Sequence, residues 1–245
     1  MKRFWNLIND VIDQVDVVLE VADARMPEIT RNRKIESMVR EKRKRLFIVY
    51  NKADLINPKN IKSGENFVYV STRKRYGFSK LRNLIMGNRK TVRVGVVGYP
   101  NTGKSSVINF LVGRKKAPTS SVAGFTKGVQ WITDHKGLLL YDTPGVIPFD
   151  ENDEVKQALM CVLSPSQIKN PDLVAIKIIE IFLEQNKHAL EKRYNIKITE
   201  NESEAVLMSI GKRMNYLAKN GEIDITRTCI KIIKDWQQGL LLLNG

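Results

Sequence analysis

Three short tracts set groups suited to phosphate, metal and base binding at sharp turns. The first is Gly98-Tyr99-Pro100-Asn101-Thr102-Gly103-Lys104-Ser105, a GxxxxGK[ST] pattern between an apolar run and the helical-looking residues 106–111. Its glycines allow backbone N–H groups to wrap an anion, and Lys104 is long enough to reach terminal phosphate oxygens. Ser105 offers a hydroxyl to Mg²⁺. Asn101, Thr102, Gly103, Lys104, Ser105 and Ser106 are therefore the candidate phosphate-binding residues. The second tract is Asp142-Thr143-Pro144-Gly145, about 40 residues further on and directly after LLLY. A carboxylate at Asp142 suits a Mg²⁺ shell, through water, and a Gly145 N–H suits a γ-phosphate. On its own the tetrapeptide is only a turn.

The third tract, Asn51-Lys52-Ala53-Asp54, follows LFIVY. An aspartate carboxylate accepts from N1–H and the 2-amino group of guanine, and adenine lacks both donors. Asp54 is the candidate for that contact, with Asn51 orienting the loop and the Lys52 stem covering the base. Asp54 also suits a helix cap, and both roles are compatible. Ser71 and Thr72, after the next apolar run, could support the base through backbone N–H groups. Thr126, in GFTKGVQ, is the candidate for a threonine that closes on Mg²⁺, with Thr119 a competitor; Gly124 and Gly128 favour Thr126 as the hinged position. Lys104, Thr126 and Gly145 are the candidate catalytic groups, and Ser105, Thr126 and Asp142 the candidate Mg²⁺ ligands.

The elements that must position these loops follow from β-branched runs. Residues 15–21 (VDVVLEV), 46–50, 67–70 and 92–97 read as buried strands separated by polar segments of helical length, such as 30–44 and 79–86. Alternating strand and helix implies a parallel sheet with covered faces. Residues 129–133 and 138–141, either side of Asp134-His135-Lys136-Gly137, predict a hairpin, so a mixed sheet of about six strands is expected. Beyond residue 150 the pattern turns helical. Leu173, Ile176, Ile179 and Leu183 recur at helical spacing with Phe182, as do Ile225, Cys229, Ile232 and Trp236 after a candidate cap at Asp224. The expected division is 1–165 for the α/β domain and 166–245 for a small all-helical domain.

Composition narrows the class. The chain has 245 residues, 42% hydrophobic and 27% charged, with no apolar run near the ~20 residues of a membrane span. Acids interrupt the N-terminus, MKRFWNLINDVID, where a signal peptide would be apolar. Two cysteines make neither a disulfide framework nor a metal quartet, and a cytoplasmic protein is the expectation. The net charge of +15 sits wholly in residues 1–150, which hold 28 Lys/Arg against 13 Asp/Glu; residues 151–245 hold 13 of each. The excess is clustered at 31–34, 42–45, 73–75 and 114–116, a pattern that attracts phosphate backbones, although a basic face also serves solubility alone.

Together the tracts resemble a GTPase of the translation-factor class with its motifs out of order: NKAD and Ser71 precede the phosphate loop. That order is similar to the circularly permuted GTPases of the YlqF/YawG (ribosome biogenesis GTPase A) family. Asp23-Ala24-Arg25-Met26-Pro27, GYPNTGKSS, GFTKGVQ, Gly211-Lys212, Asn220-Gly221-Glu222-Ile223-Asp224 and Trp236-Gln237-Gln238-Gly239 look like it too. The resemblance implies a Ras-like, circularly permuted P-loop NTPase fold with a helical C-terminal domain that contacts RNA or the ribosome. It implies GTP/GDP as ligand, Mg²⁺ as cofactor, and ribosomal RNA or a large ribosomal subunit precursor as partner; the lack of a long apolar run leads to the expectation of no membrane partner, and a monomer is the default. In related phosphate loops the residue matching Asn101 helps bind K⁺; the alternative is an asparagine that only shapes the loop.

The group orienting the attacking water stays open. Val146 and Ile147 follow the DTPG tract where many GTPases carry Gln, and residues 1–30 lack the histidine that some family members use. His135 and His188 read as surface residues. Slow intrinsic hydrolysis, well below the ~10 s⁻¹ of ordinary enzymes, is expected, with stimulation by a ribosomal particle or K⁺. Arg25 either positions elements around the site or pairs with an acid at the strand end, and Trp5 and Trp131 read as packing residues. The expected function is a GTP-hydrolysing switch in assembly of the large ribosomal subunit. A protein-binding signalling GTPase without RNA is the alternative. A metabolic P-loop enzyme lacks its acceptor pocket and lid arginines.

Overall fold

Each apolar run becomes a strand of one six-stranded sheet. In the computed structural model, which describes residues 2–62, 64–113, 130–142 and 153–243, these are β1 (Val17–Asp23), β2 (Arg45–Asn51), β3 (Phe67–Tyr69), β4 (Val92–Val97), β5 (Gln130–Thr133) and β6 (Leu138–Asp142). Their spatial order is β3-β2-β1-β4-β6-β5, all parallel except the antiparallel edge strand β5. This is the mixed sheet expected from the sequence. All of β1 is buried, which explains a run that is apolar on both faces, interrupted within the strand only by Glu20, rather than an alternating one.

Helices α1 (Lys2–Gln14), α2 (Pro27–Thr30), α3 (Arg33–Glu41), α4 (Phe78–Met86) and α5 (Lys104–Val112) accompany the sheet. The two-residue period of β1 distributes its side chains between two cores. Val17, Leu19 and Val21 join Leu81 and Ile85 of α4 and Ile108 of α5. Val18 joins Ile8, Val11 and Ile12 of α1 and Ile35 and Val39 of α3. Each such fully buried aliphatic side chain contributes about 1.5–3 kcal/mol over its exposed state. The strand end that matters to the site is thus held from both faces.

Contacts divide the chain into two units, Met1–Asp54 with Pro58–Asp150, and Leu55–Asn57 with Glu151–Gly245. The expected boundary at 165 lies further along. The difference has a local cause: α6 (Glu154–Leu159) belongs to the helical core. Trp236 Nε1 donates to the Leu159 carbonyl at 2.9 Å, and Gln237 Nε2 donates to the Leu163 carbonyl at 2.8 Å. The core is completed by α7 (Pro171–Gln185), α8 (Lys187–Tyr194), α9 (Ser203–Arg213) and α10 (Ile225–Gln237). Asp224 caps α10, its carboxylate accepting from Arg227 N at 2.9 Å, as its position in the sequence predicts.

The apolar stripe predicted for α7 is displaced. Leu173 is exposed, while Val174, Ala175, Ile178, Ile179, Ile181 and Phe182 are buried. α7 is packed by α6, α9 and α10 at once, so its buried arc is wider than a single stripe. On α10, Cys229, Ile232 and Trp236 are buried as expected, and Ile225 in the first turn is exposed. No helix of the described residues is long and apolar enough to cross a membrane.

Candidate functional site

The parallel strands end along one edge of the sheet, and the chemically interesting loops leave from there. Asp23 of β1 is in register with Asn51 of β2, Glu20 of β1 with Val97 of β4, and Val96 of β4 with Asp142 of β6. Ligand sites of open α/β sheets form at this edge because helix N-termini and loop N–H groups converge there.

The phosphate-loop tract turns between β4 and α5. Gly103 precedes the helix at φ +94, and a Cβ there would lie 2.2 Å from Asn51 Nδ2. Both the conformation and the close approach require glycine. Gly98, at φ +142, would place a Cβ 2.3 Å from the Val21 carbonyl, so the loop also turns tightly over β1. Lys104 is buried, and its Nζ donates to the Tyr99 carbonyl at 2.8 Å, folding the side chain back across the loop. Thr102 Oγ1 donates to the same carbonyl at 2.9 Å. Asn101 takes φ +59, and Ser105 and Ser106 occupy the first turn of α5. Gly103 contributes no side-chain cap, so the first N–H groups of α5 receive none from that position.

The NKAD tract joins this loop through one bond. Asn51 Nδ2 donates to the Thr102 carbonyl at 3.0 Å across 51 residues of sequence. Among the described residues Asn51 Oδ1 is buried with no partner. Lys52 adopts φ +61, and its Nζ lies 2.6 Å from Asp23 Oδ2. Ser71 is fully buried; its Oγ donates to Asp54 Oδ1 at 2.6 Å and accepts from Lys74 N at 2.8 Å. The serine hydroxyl therefore fixes one carboxylate oxygen of Asp54, a side-chain role beyond the backbone support expected of it. Thr72 follows at an intermediate exposure. The structure thus brings together Asn51, Thr102 and Gly103, and separately Asp54 and Ser71. Asp142 ends β6, beside the strand that feeds the phosphate loop. Thr126 and Gly145, and with them Thr119, Val146 and Ile147, lie outside the described residues.

A serine hydroxyl on α5 and an aspartate at the end of β6 start from neighbouring elements and offer hard oxygen donors, a set that suits Mg²⁺. Asn101 offers a neutral amide oxygen of the kind K⁺ accepts. His135 and His188 are exposed, as expected.

Arg25 takes the second of the two roles read for it, while two features escaped the sequence reading: Lys52 as a further partner of Asp23, and the burial of Glu20. Asp23 is buried and receives Arg25 Nε at 3.0 Å and Arg25 NH2 at 2.8 Å, so Arg25 pairs with the acid at the strand end. Burial raises the Asp23 carboxyl pKa, but the charges of Arg25 and Lys52 more than offset this and hold it well below the usual carboxylate range. Glu20, fully buried on β1, accepts from Asn32 N through Oε1, and its Oε2 has no partner among the described residues. Burial pushes its carboxyl up to about 8. Asn32 caps α3 through Oδ1 and donates from Nδ2 to the Tyr99 hydroxyl at 3.3 Å, linking α3 to the phosphate loop. The only local signal for the Glu20 site was an acid inside an otherwise apolar strand.

Residues 93–217 match the family model described as 50S ribosome-binding GTPase. An uncharacterized GTP-binding protein of Methanocaldococcus jannaschii is 41% identical over 96% of this chain and 65% of its own length. Nucleolar GTP-binding protein 2 of Pneumocystis carinii is 30% identical over 97% of this chain and 52% of its own length. The chain therefore spans about half to just under two thirds of these relatives. The crystal structure of GNP-bound YlqF from T. maritima shares the fold, with a TM-score of 0.63 and 24% identity over 97% of this chain and 94% of that one. With that family model covering half of the chain and NKAD standing before the phosphate loop, the chain belongs to the 50S ribosome-binding GTPase family, with its motifs in circularly permuted order.

Proposed function

We propose that the chain is a GTP-binding and GTP-hydrolysing switch that assists assembly of the large ribosomal subunit. The observation that carries this reading is the Asn51–Thr102 hydrogen bond, which ties a guanine-type base loop to a phosphate loop at one sheet edge. Asp54, steadied by Ser71, accepts from the guanine edge, with the Lys52 stem over the base and Thr72 beside it. The loop N–H groups of residues 101–106 and the Lys104 ammonium hold the phosphates. Ser105, Thr126 and, through water, Asp142 would hold Mg²⁺, which neutralises charge on the β and γ oxygens when bound. Gly145 senses the γ-phosphate, and Asn101 is the candidate K⁺ ligand.

Hydrolysis on this reading is slow in isolation and faster with K⁺ or a ribosomal particle. The basic residues of 1–150 meet ribosomal RNA electrostatically. The helical unit, with its even balance of charge, contacts RNA or ribosome by shape more than by charge. A monomer in the cytoplasm completes the proposal. The relatives named for the nucleolus support a ribosome-related role. Two measurements test it: binding of GDP against ADP, and co-sedimentation with ribosomal particles in GTP and GDP. GDP-selective binding with nucleotide-dependent sedimentation is expected. Absence from every ribosomal fraction, at low and high salt, would favour a signalling GTPase without RNA.

A further inference from the structure

Lys52 sits in a left-handed backbone conformation that a lysine does not favour, so something beyond the local chain must hold it. The contact that does so comes from β1. Asp23 Oδ2 lies 2.6 Å from Lys52 Nζ, and the Ala24 N–H donates to the Asn51 carbonyl at 2.8 Å. The exit of β1 and the exit of β2 are thereby laced side chain to side chain and backbone to backbone. Arg25 completes the arrangement. Its Nε and NH2 straddle the carboxylate, and its own N–H donates to Oδ1 at 3.0 Å. This fork already supplies a full counter-charge to Asp23, so the carboxylate has no need of a second cation. The lysine, in contrast, gains a fixed anchor for a long, flexible side chain.

We infer that Asp23 is a positioning residue for guanine recognition: its buried carboxylate, clamped by Arg25, sets the Lys52 side chain over the base site. The inference rests on the reading of residues 51–54 as the base loop. It assigns Asp23-Ala24-Arg25 a task that no phosphate or metal contact requires. The rival is a purely structural pair, in which Asp23 and Arg25 shape their own turn and Lys52 is a bystander.

The test is a double-mutant cycle on the full chain, read by equilibrium binding of a fluorescent GDP analogue, with ADP as competitor. Asp23→Asn and Lys52→Gln each weaken GDP about tenfold, within the range for members of one ion-pair network, and the double variant is no weaker than either single. Gln shortens the stem as well as removing the charge, so Lys52→Met, which keeps the length of the stem, runs beside it: a loss shared by the Met variant reports the tether rather than the cover. Independent, additive losses, or wild-type affinity in Lys52→Gln, would overturn the inference. Should Asp23→Asn fail to fold, Lys52→Gln beside Lys52→Arg decides alone: Arg keeps the anchor and most of the affinity, and equal affinity in both variants contradicts it. A wild-type protein that does not prefer GDP to ADP would refute the base-loop reading itself. A selective wild type with unaffected variants would refute only the role of Asp23.

Discussion

Two buried aspartates, one in each unit, share an electrostatic design and differ in what surrounds it. Asp23 lies between Arg25 and Lys52 at the end of a strand. Asp235 lies on α10 and is met by Arg193 at 3.0 Å, Lys231 at 2.7 Å and the Tyr194 hydroxyl at 3.1 Å. Burial raises the Asp235 carboxyl, and the Arg193 and Lys231 partners outweigh that, so it too is held low. The partners of Asp235 come from regular helices and adjoin Trp236, whose ring meets Phe182 edge-on at 6.1 Å. The charged partners of Asp23, Arg25 and Lys52, lie just past the ends of β1 and β2, and Lys52 adopts a positive φ. A buried ion cluster alone therefore says little about function. One that anchors loops at a strand edge holds a site, and one that joins helices holds a core.

Substitutions separate the two roles. The largest effect belongs to the loop side. Asp54→Ala removes the acceptor for the guanine edge, and selectivity for GDP over ADP falls by a factor of order 10⁴ in competition binding, with the fold retained. Next comes the core side. Asp235→Ala leaves two cations beside a buried gap and lowers stability by about 3–5 kcal/mol in urea unfolding, while GDP affinity stays within about twofold. If Asp235→Ala instead abolished nucleotide binding at full stability, the contrast between the units would fail.

The sheet, the phosphate loop and the hairpin were readable from sequence because each depends on local signals: β-branched runs, a glycine-bounded turn, polar turn residues. The first helix was equally local. Trp5, Ile8 and Ile12 repeat at three and four residues, yet the segment served only to exclude a signal peptide. The Asp23–Lys52 pair could not be read, because it joins residues 29 apart through a parallel register that exists only after folding. The inclusion of Leu55–Asn57 in the helical unit is of the same kind: Leu243 N donates to the Leu55 carbonyl at 2.9 Å, a contact between distant parts of the chain. The displaced face of α7 reflects packing on several sides, which a single stripe does not encode.

Further effects come from pH. The folded-state carboxyl of Asp235 is depressed, so its stabilisation is present at neutral pH and is lost as pH falls below the ordinary aspartate range. Unfolding midpoints of Asp235→Asn are correspondingly less sensitive to acid than those of the parent. Glu20 works in the opposite direction. The unfolded chain releases its proton near 4.5, while the folded chain retains it up to about 8, so stability falls as pH rises across that window. Glu20→Gln removes this cost. It raises stability on the order of 4 kcal/mol at pH 8, about ten degrees in melting temperature, and changes little below pH 4.5. A stabilisation that did not grow with pH would contradict a neutral Glu20 in the fold.

The central claim is that loops from residues 51–54 and 98–105 close one guanine-nucleotide pocket at the sheet edge. A crystal structure of the full chain with GDP tests it most directly. The account predicts both Asp54 carboxylate oxygens within hydrogen-bond distance of guanine N1 and the 2-amino group, and Lys104 Nζ on the β-phosphate. A purine ring turned away from Asp54, or a diphosphate bound remote from Lys104, would contradict it.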